Sequence, residues 1–170
     1  MKQKDGDWHK KKGLSNKWIE HLAKEGFFSL IISKQYGGMK LSVNELSKVL
    51  TQITSVDPAL GVVTMVPNSL GPGELITKYG TKQQKDFYLP RLAKGEYIPC
   101  FGLTGPQNGS DATGNIDEGL LNLNVDNPNN KHIEREINKR YITLAPVASL
   151  IGLAVRVEDK HKLTGGKGGG

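Results

Sequence analysis

The feature that most limits how this sequence can fold is a change of hydrophobic pattern near Glu96. Upstream of it, apolar residues recur at three- and four-residue intervals, which is the spacing of an amphipathic helix. Downstream of it, short apolar or partly alternating runs are separated by Gly, Asn and Pro, as strands are. Because helices and strands fall into separate halves of the chain, the pattern predicts an α+β fold.

Helix start signals support the prediction for the first half. Residues 42–45 (S-V-N-E) and 81–84 (T-K-Q-Q) both have the S/T-x-x-E/Q form of a capping box. Asp57-Pro58 predicts another start, with Asp57 as the cap and proline in the first turn. The following residues, 59–66, are apolar nearly all round, so we expect that helix to be buried or to line a site.

Three segments of the second half have strand character. They are residues 97–104, residues 120–125 and the long apolar run over 141–157. Within the last run, Leu144 to Val155 spans 12 residues and contains Pro146, which makes it too short to cross a bilayer. We therefore predict a buried strand there. About three strands are too few for a self-sufficient sheet, so we expect the β unit to be incomplete or to borrow strands.

The positive charge is concentrated at the start of the chain. The net charge is +6, and residues 1–40 hold nine lysines against four acidic residues. A basic arm that binds nucleic acid or an anionic membrane is one alternative. Nucleic-acid binders usually carry a basic stripe with aromatic platforms in the folded part, which is missing here, so we predict no nucleic-acid partner. The predicted organisation is a basic arm (1–13), a helical domain (14–96), a partial β domain (97–163) and a Gly-rich tail (164–170).

Several kinds of site are excluded by motif. Neither the P-loop pattern nor G-x-G-x-x-G occurs, and no serine lies in a G-x-S-x-G frame. The four histidines and Cys100 lack metal-ligand spacing, so no metal is expected. One cysteine excludes an internal disulfide and fits a reducing compartment. Without an apolar N-terminal region of signal-peptide type, the expected location is the cytoplasm, with peripheral membrane association left open.

One loop has a composition suited to ligand binding. Residues 100–114 read C-F-G-L-T-G-P-Q-N-G-S-D-A-T-G, and the polar part begins at Thr104. Its glycines allow close approach of the backbone, and its N–H and hydroxyl groups can bond a phosphate or the polar edge of a heterocycle. On composition alone, a long turn with Asn108-Gly109 at its tip is the favoured interpretation.

These residues also carry a family resemblance. The segment over 101–113 resembles the flavin-binding segment of acyl-CoA dehydrogenases, which usually contains T-E-P-x-x-G-S-D, and K-R-Y-I-T at 139–143 resembles the family's K-x-W-I-T. The string Y-G-T-K-Q-Q-K-D-F-Y-L-P-R-L-A-K-G-E at 79–96 is similar as well. The resemblance covers roughly residues 14–165, and the pattern after residue 137 is most similar to the large bacterial fatty-acyl-CoA dehydrogenases.

The resemblance implies an FAD-dependent oxidoreductase of fatty acid β-oxidation that converts a fatty acyl-CoA into a trans-2-enoyl-CoA. It also implies an electron-transferring flavoprotein as electron acceptor and a homo-oligomer when the protein is full length. Ser110 is implied to contact the FAD pyrophosphate or the CoA arm of the substrate. The implied cofactor-binding residues are Phe101, Gly102, Leu103, Thr104, Gly109, Ser110, Tyr141, Ile142 and Thr143. An acyl-CoA oxidase of the same superfamily is the alternative enzyme.

Departures from the family pattern set further expectations. Gly105 stands where the family usually has the Glu of T-E-P, and Tyr141 stands where it usually has Trp. The family's catalytic base is a glutamate in a C-terminal helical bundle, which follows a β-barrel-like middle domain. We therefore expect this chain to contain an incomplete middle domain, no bundle and no catalytic residue, and to be inactive by itself.

Overall fold

A computed structural model describes residues 16–69, 71–112, 118–123, 131–134 and 137–158. The arm over 1–13, the tail over 164–170 and the end of the polar loop at 113–114 lie outside the described residues. The helices are α1 (Asn16–Lys24), α2 (Val43–Val56), α3 (Pro58–Met65), α4 (Pro72–Tyr79) and α5 (Lys82–Ala93), with a 3₁₀ turn at Lys34–Tyr36. The strands are β1 (Pro99–Gly102), β2 (Glu118–Leu123), β3 (Lys131–Glu134), β4 (Leu150–Leu153) and β5 (Arg156–Glu158). The α+β prediction is confirmed.

Both predicted capping boxes are present. At the start of α2, the Ser42 N–H donates to Glu45 Oε2 at 2.8 Å, and the Glu45 N–H donates to Ser42 Oγ at 3.3 Å. At the start of α5, Thr81 and Gln84 make the same reciprocal pair at 2.8 and 3.2 Å. Asp57 caps α3 through Oδ1, which accepts from the Ala59 N–H at 2.8 Å. Each box satisfies N–H groups that the first turn of a helix leaves unpaired.

The charged capping box should make stability depend on pH. Hydrogen bonds from the Ser42 N–H and hydroxyl hold the pKa of Glu45 below its ordinary 4.5. A carboxylate with a lowered folded-state pKa stabilises the fold above its unfolded-state pKa, and this contribution is lost as pH falls through the folded value. In urea unfolding from pH 7 to 3, the advantage of wild type over Glu45→Gln should therefore shrink as pH falls. The cost of Thr81→Ala should stay constant, because Gln84 does not titrate, and parallel curves for wild type and Glu45→Gln would contradict the assignment.

The helical part of the chain has two buried apolar clusters. One contains Ile19, Leu22, Phe28 and Val63, with Leu144 and Val147 packed against it. The other contains Ile32, Leu89, Leu92 and Ala93, with Leu150 packed against it. Residues from the second half of the sequence therefore complete a core that the helices alone would leave partly exposed.

A buried asparagine joins the end of α3 to the connector after α1. Asn68 is 2% exposed, and its Nδ2 donates to the carbonyls of Phe27 at 2.6 Å and Thr64 at 2.9 Å. Its Oδ1 accepts from the Ile31 N–H at 3.3 Å. One side chain thus satisfies three backbone groups in a region where a polar group without a partner is costly.

The chain divides into two compact units, and each draws on two stretches of sequence. One unit takes the described residues up to Cys100 together with Leu144–Ile151. The other takes those described between Phe101 and Thr143 and those from Gly152 onward. Its three-stranded sheet has the order β3-β2-β5, with β2 antiparallel to β3 and parallel to β5. The strands β1 and β4 pair as well, and the chain passes from one unit to the other within both.

Two sequence predictions differ from the structure. The prediction of a long buried strand over Leu144–Val155 is wrong. Residues 143–147 form turns, and β4 begins only at Leu150. Leu144 has a φ of 66°, which ends extended structure, and Pro146 cannot donate a ladder hydrogen bond. In α3, only one face is buried, because Val62 and Met65 are more than 40% exposed. An apolar composition shows that a segment is hydrophobic but not which neighbour covers it.

Candidate functional site

The polar loop is closed by the side chain of Asn108. Its Oδ1 accepts from the Gly105 N–H at 2.6 Å, and its Nδ2 donates to the Leu103 carbonyl at 3.2 Å. Asn108 is 4% exposed, whereas Pro106, Gln107 and Gly109 around it are exposed. The loop therefore turns one polar residue inward and presents the others to solvent.

The two segments implied to bind flavin lie side by side in one unit. The Arg140 N–H donates to the Thr104 carbonyl at 3.0 Å, and Lys139 Nζ donates to the Leu103 carbonyl at 3.1 Å. The Leu103 carbonyl thus accepts from both Lys139 and Asn108, which uses both lone pairs of that oxygen. One backbone and one side-chain hydrogen bond, each between residues 36 apart in sequence, therefore join the two segments.

The nine implied residues differ in exposure. Phe101, Leu103, Thr104 and Ile142 are half-buried, and Gly102 is buried, with its carbonyl accepting from the Ala154 N–H at 3.1 Å. The exposed members are Gly109, Ser110, Tyr141 and Thr143. Tyr141 is 89% exposed and has a φ of 59°, in the left-handed region that a non-glycine residue adopts infrequently. The Tyr141 ring is therefore exposed on a constrained backbone, and the hydroxyl-bearing residues Ser110 and Thr143 are exposed in the same two segments.

The surface around the loop suits an anionic, aromatic ligand. Lys139 and Arg140 place two cations on the segment that bonds to the loop. At Gly109, an added Cβ would meet no heavy atom within 4 Å, so the backbone there is open to approach. Phosphate oxygens favour backbone N–H groups, hydroxyls and cations, and an aromatic ring system favours a tyrosine face.

Sequence analysis missed two residues of this site, Asn108 and Lys139. The Asn108-Gly109 pair predicts only a turn tip, although asparagine side chains readily bond nearby backbone groups. Lys139 belongs to the matched segment but was given no role, and its bond to the Leu103 carbonyl spans 36 residues. Neither contact leaves a periodic pattern in the sequence.

Other kinds of chemistry find no support in the described part of the chain. Burial raises the pKa of the Cys100 thiol, which keeps it protonated and weakly nucleophilic at neutral pH. Over the described ranges, no three His, Cys, Asp or Glu side chains are grouped so that they could hold a metal ion. No helix among these residues is both long and apolar enough to span a bilayer.

Comparison with known families identifies the class of protein. Residues 1–96, more than half of the chain, match the family model described as acyl-CoA dehydrogenase, N-terminal domain. The chain belongs to the acyl-CoA dehydrogenase family.

Individual relatives agree with this assignment. The chain is 33% identical over 94 residues to an acyl-CoA dehydrogenase of Bacillus subtilis (strain 168), covering 55% of this chain and 24% of that protein. It is 28% identical over 147 residues to the mitochondrial very long-chain specific acyl-CoA dehydrogenase of Bos taurus, covering 86% and 22%. A structure of a glutaryl-CoA dehydrogenase from Mycobacterium smegmatis in complex with FADH2 matches with a TM-score of 0.74 at 22% identity, covering 89% and 37%. The chain thus spans about a quarter or less of the length of these two curated relatives.

Proposed function

We propose that this chain contributes the flavin-binding segments of an FAD-dependent dehydrogenase that acts on fatty acyl-CoA. The observation that carries the proposal is the hydrogen bond from the Arg140 N–H to the Thr104 carbonyl at 3.0 Å, which joins the two segments that resemble the family's flavin motifs. Family membership and the FADH2 complex of a relative with the same fold support the choice of cofactor.

The donors present fit FAD. Tyr141 offers a largely exposed ring for the isoalloxazine system. Thr104 and Thr143 offer hydroxyl groups to its polar edge, while Ser110 and the open backbone at Gly109 suit the pyrophosphate or the CoA arm of the substrate. Phe101, Leu103 and Ile142 would provide apolar contacts, and Gly102 would hold the strand beneath them.

FAD, when bound, would accept the hydride that leaves Cβ of the acyl thioester as a base removes a proton from Cα. The segments described here would bind and orient the ring system, and they would exclude water from one side of it. The substrate class, an electron-transferring flavoprotein as acceptor, a cytoplasmic location and a homo-oligomeric assembly belong to the same proposal. They follow from the family and not from a contact in this chain.

A pair of exposed tyrosines provides the test. Tyr141 is 89% exposed and Tyr79, outside both segments, is 79% exposed, so neither ring contributes much to the core. Tyr141→Ala should weaken FAD binding about 2- to 10-fold, the effect of losing one aromatic pair of about 0.5–1.5 kcal/mol. Tyr79→Ala should leave it unchanged. Binding is measured by titrating the purified chain with FAD and following flavin fluorescence and absorbance.

A wild-type chain with a cooperative thermal transition that takes up no FAD at millimolar concentration does not hold the cofactor. Equal losses of affinity in the two tyrosine variants would show that the flavin does not lie at residues 139–143. The melting temperatures of both variants should match wild type, so that a loss of binding is not a loss of fold.

A further inference from the structure

Residues 105 and 108 compete for one space in the polar loop. A Cβ atom added to Gly105 would lie 2.5 Å from Asn108 Oδ1, closer than real Cβ atoms approach other heavy atoms, and 3.3 Å from the Asn138 carbonyl. The same Oδ1 accepts the Gly105 N–H at 2.6 Å. The Asn108 side chain in its observed position and a side chain at residue 105 therefore cannot both be present.

We infer that Asn108 is a positioning residue for flavin binding and that residue 105 is glycine because Asn108 fills its side-chain space. The inference rests on the proposed function and goes beyond it, since neither residue belongs to the implied cofactor-binding set. Asn108 acts through Leu103 and the start of the loop, without touching the cofactor.

The physical basis is that one side chain bonds the backbone on either side of Thr104. Asn108 Nδ2 donates to the Leu103 carbonyl at 3.2 Å while its Oδ1 accepts from Gly105. The intervening residue, Thr104, is thereby fixed on both sides, and its own carbonyl accepts from the Arg140 N–H. The two amide bonds restrict the backbone between Leu103 and Gly105, in addition to the bond that the Leu103 carbonyl accepts from Lys139 Nζ at 3.1 Å and the bond from the Gly105 N–H to the Asn108 carbonyl at 3.3 Å.

The family pattern gives this pair a second meaning. The resemblance aligns Gly105 with the usual glutamate of T-E-P, which the large bacterial type often lacks too, and Gly105 is also a position where the Asn108 side chain leaves no room for a Cβ atom. In this loop, the Asn108 amide occupies the space that a side chain at residue 105 would need.

Substitution at Asn108 tests the positioning role directly. Asn108→Ala should weaken FAD binding about tenfold, the effect of one net hydrogen bond, and should alter the visible absorption spectrum of the bound flavin. Asn108→Asp keeps an acceptor for Gly105 but cannot donate to Leu103 when ionised, so it should not restore the wild-type spectrum. Gln107→Ala, an exposed neighbour in the same loop, is the control and should leave affinity and spectrum unchanged.

A double-mutant cycle tests the competition for space. Gly105→Ala should weaken FAD binding about as much as Asn108→Ala, because the new methyl group displaces the Asn108 amide. If both changes act by breaking the hydrogen bonds of the Asn108 amide, the double variant should bind FAD about as well as either single variant. Losses that multiply to about a hundredfold would show independent effects and would overturn the coupling.

A measurement without FAD separates this inference from the proposed function. In the free chain, Asn108→Ala should speed hydrogen exchange of the Gly105 amide at least tenfold, whereas Gln107→Ala should not. If wild type binds no FAD, the proposed function fails and the positioning role with it, even where exchange responds as expected. If wild type binds FAD and Asn108→Ala binds it equally well with the same spectrum, only the role of Asn108 is overturned.

Discussion

Replacing Gly95 with alanine is expected to lower the free energy of unfolding by about 2–5 kcal/mol. Gly95 ends α5 with a φ of 69°, and the left-handed conformation costs an alanine about 1–2 kcal/mol. An added Cβ would also lie 2.4 Å from the Ala23 Cβ and 3.0 Å from Phe28 Cδ2, and Phe28 is a core residue. Overpacking of this kind adds about 1–3 kcal/mol. Urea unfolding followed by circular dichroism measures the loss.

Gly37 provides the matched control. Its φ is 86°, and an added Cβ would meet no heavy atom within 4 Å. Gly37→Ala should therefore show the conformational cost alone, about 1–2 kcal/mol. The difference between the two variants measures how tightly the end of α5 packs on the core. Equal losses in both variants would show that the close approach at Gly95 relaxes without cost.

Replacing Asn68 with alanine should cost about 3–5 kcal/mol. The change leaves the Phe27 and Thr64 carbonyls and the Ile31 N–H without the partner that the structure gives them. A buried polar group that loses its partner costs about 1–3 kcal/mol, and water can reach some of the three. The melting temperature and the urea midpoint should both fall sharply.

Two further variants locate the source of that loss. Ser69→Ala, at the next residue, removes only one local bond, from Ser69 Oγ to the Val66 carbonyl, and should cost less than about 1.5 kcal/mol. Asn68→Asp keeps an acceptor for the Ile31 N–H but places a carboxylate against two carbonyls at neutral pH. It should be at least as destabilising as Asn68→Ala at pH 7. If Ser69→Ala and Asn68→Ala cost the same, the three-way bonding of Asn68 contributes little.

Helix starts were predictable from sequence because their cause is local. The boxes at 42–45 and 81–84 and the Asp57 cap depend on residues within one turn, and all three form as predicted. The bonds of Asn68 to Phe27 and Ile31, and that of Lys139 to Leu103, span 36 to 41 residues and could not be inferred in the same way. Pairwise contacts at such distances follow from the packed fold, which periodicity does not specify.

The second half of the chain shows the other limit of the sequence patterns. Segments 97–104 and 120–125 contain the observed strands β1 and most of β2, with residues 124–125 outside the described part. The run over Leu144–Val155 was misassigned because strong hydrophobicity is common to buried strands and to turns that pack on a core. The family resemblance predicts that segments 101–113 and 139–143 act together, whereas the hydrogen bonds of Asn108 to Leu103 and Gly105 are evident only from the structure.

The interleaving of the two units has a consequence for how this protein is made. Leu144, Val147 and Leu150 pack on the clusters formed by the helices, so the helical core is not complete until they have been synthesised. Ribosomes add about 5–20 residues per second, so the roughly 50 residues after Cys100 take some 3–10 s. During that interval the apolar surface that these three residues later cover is exposed on the helices, which favours binding of a chaperone.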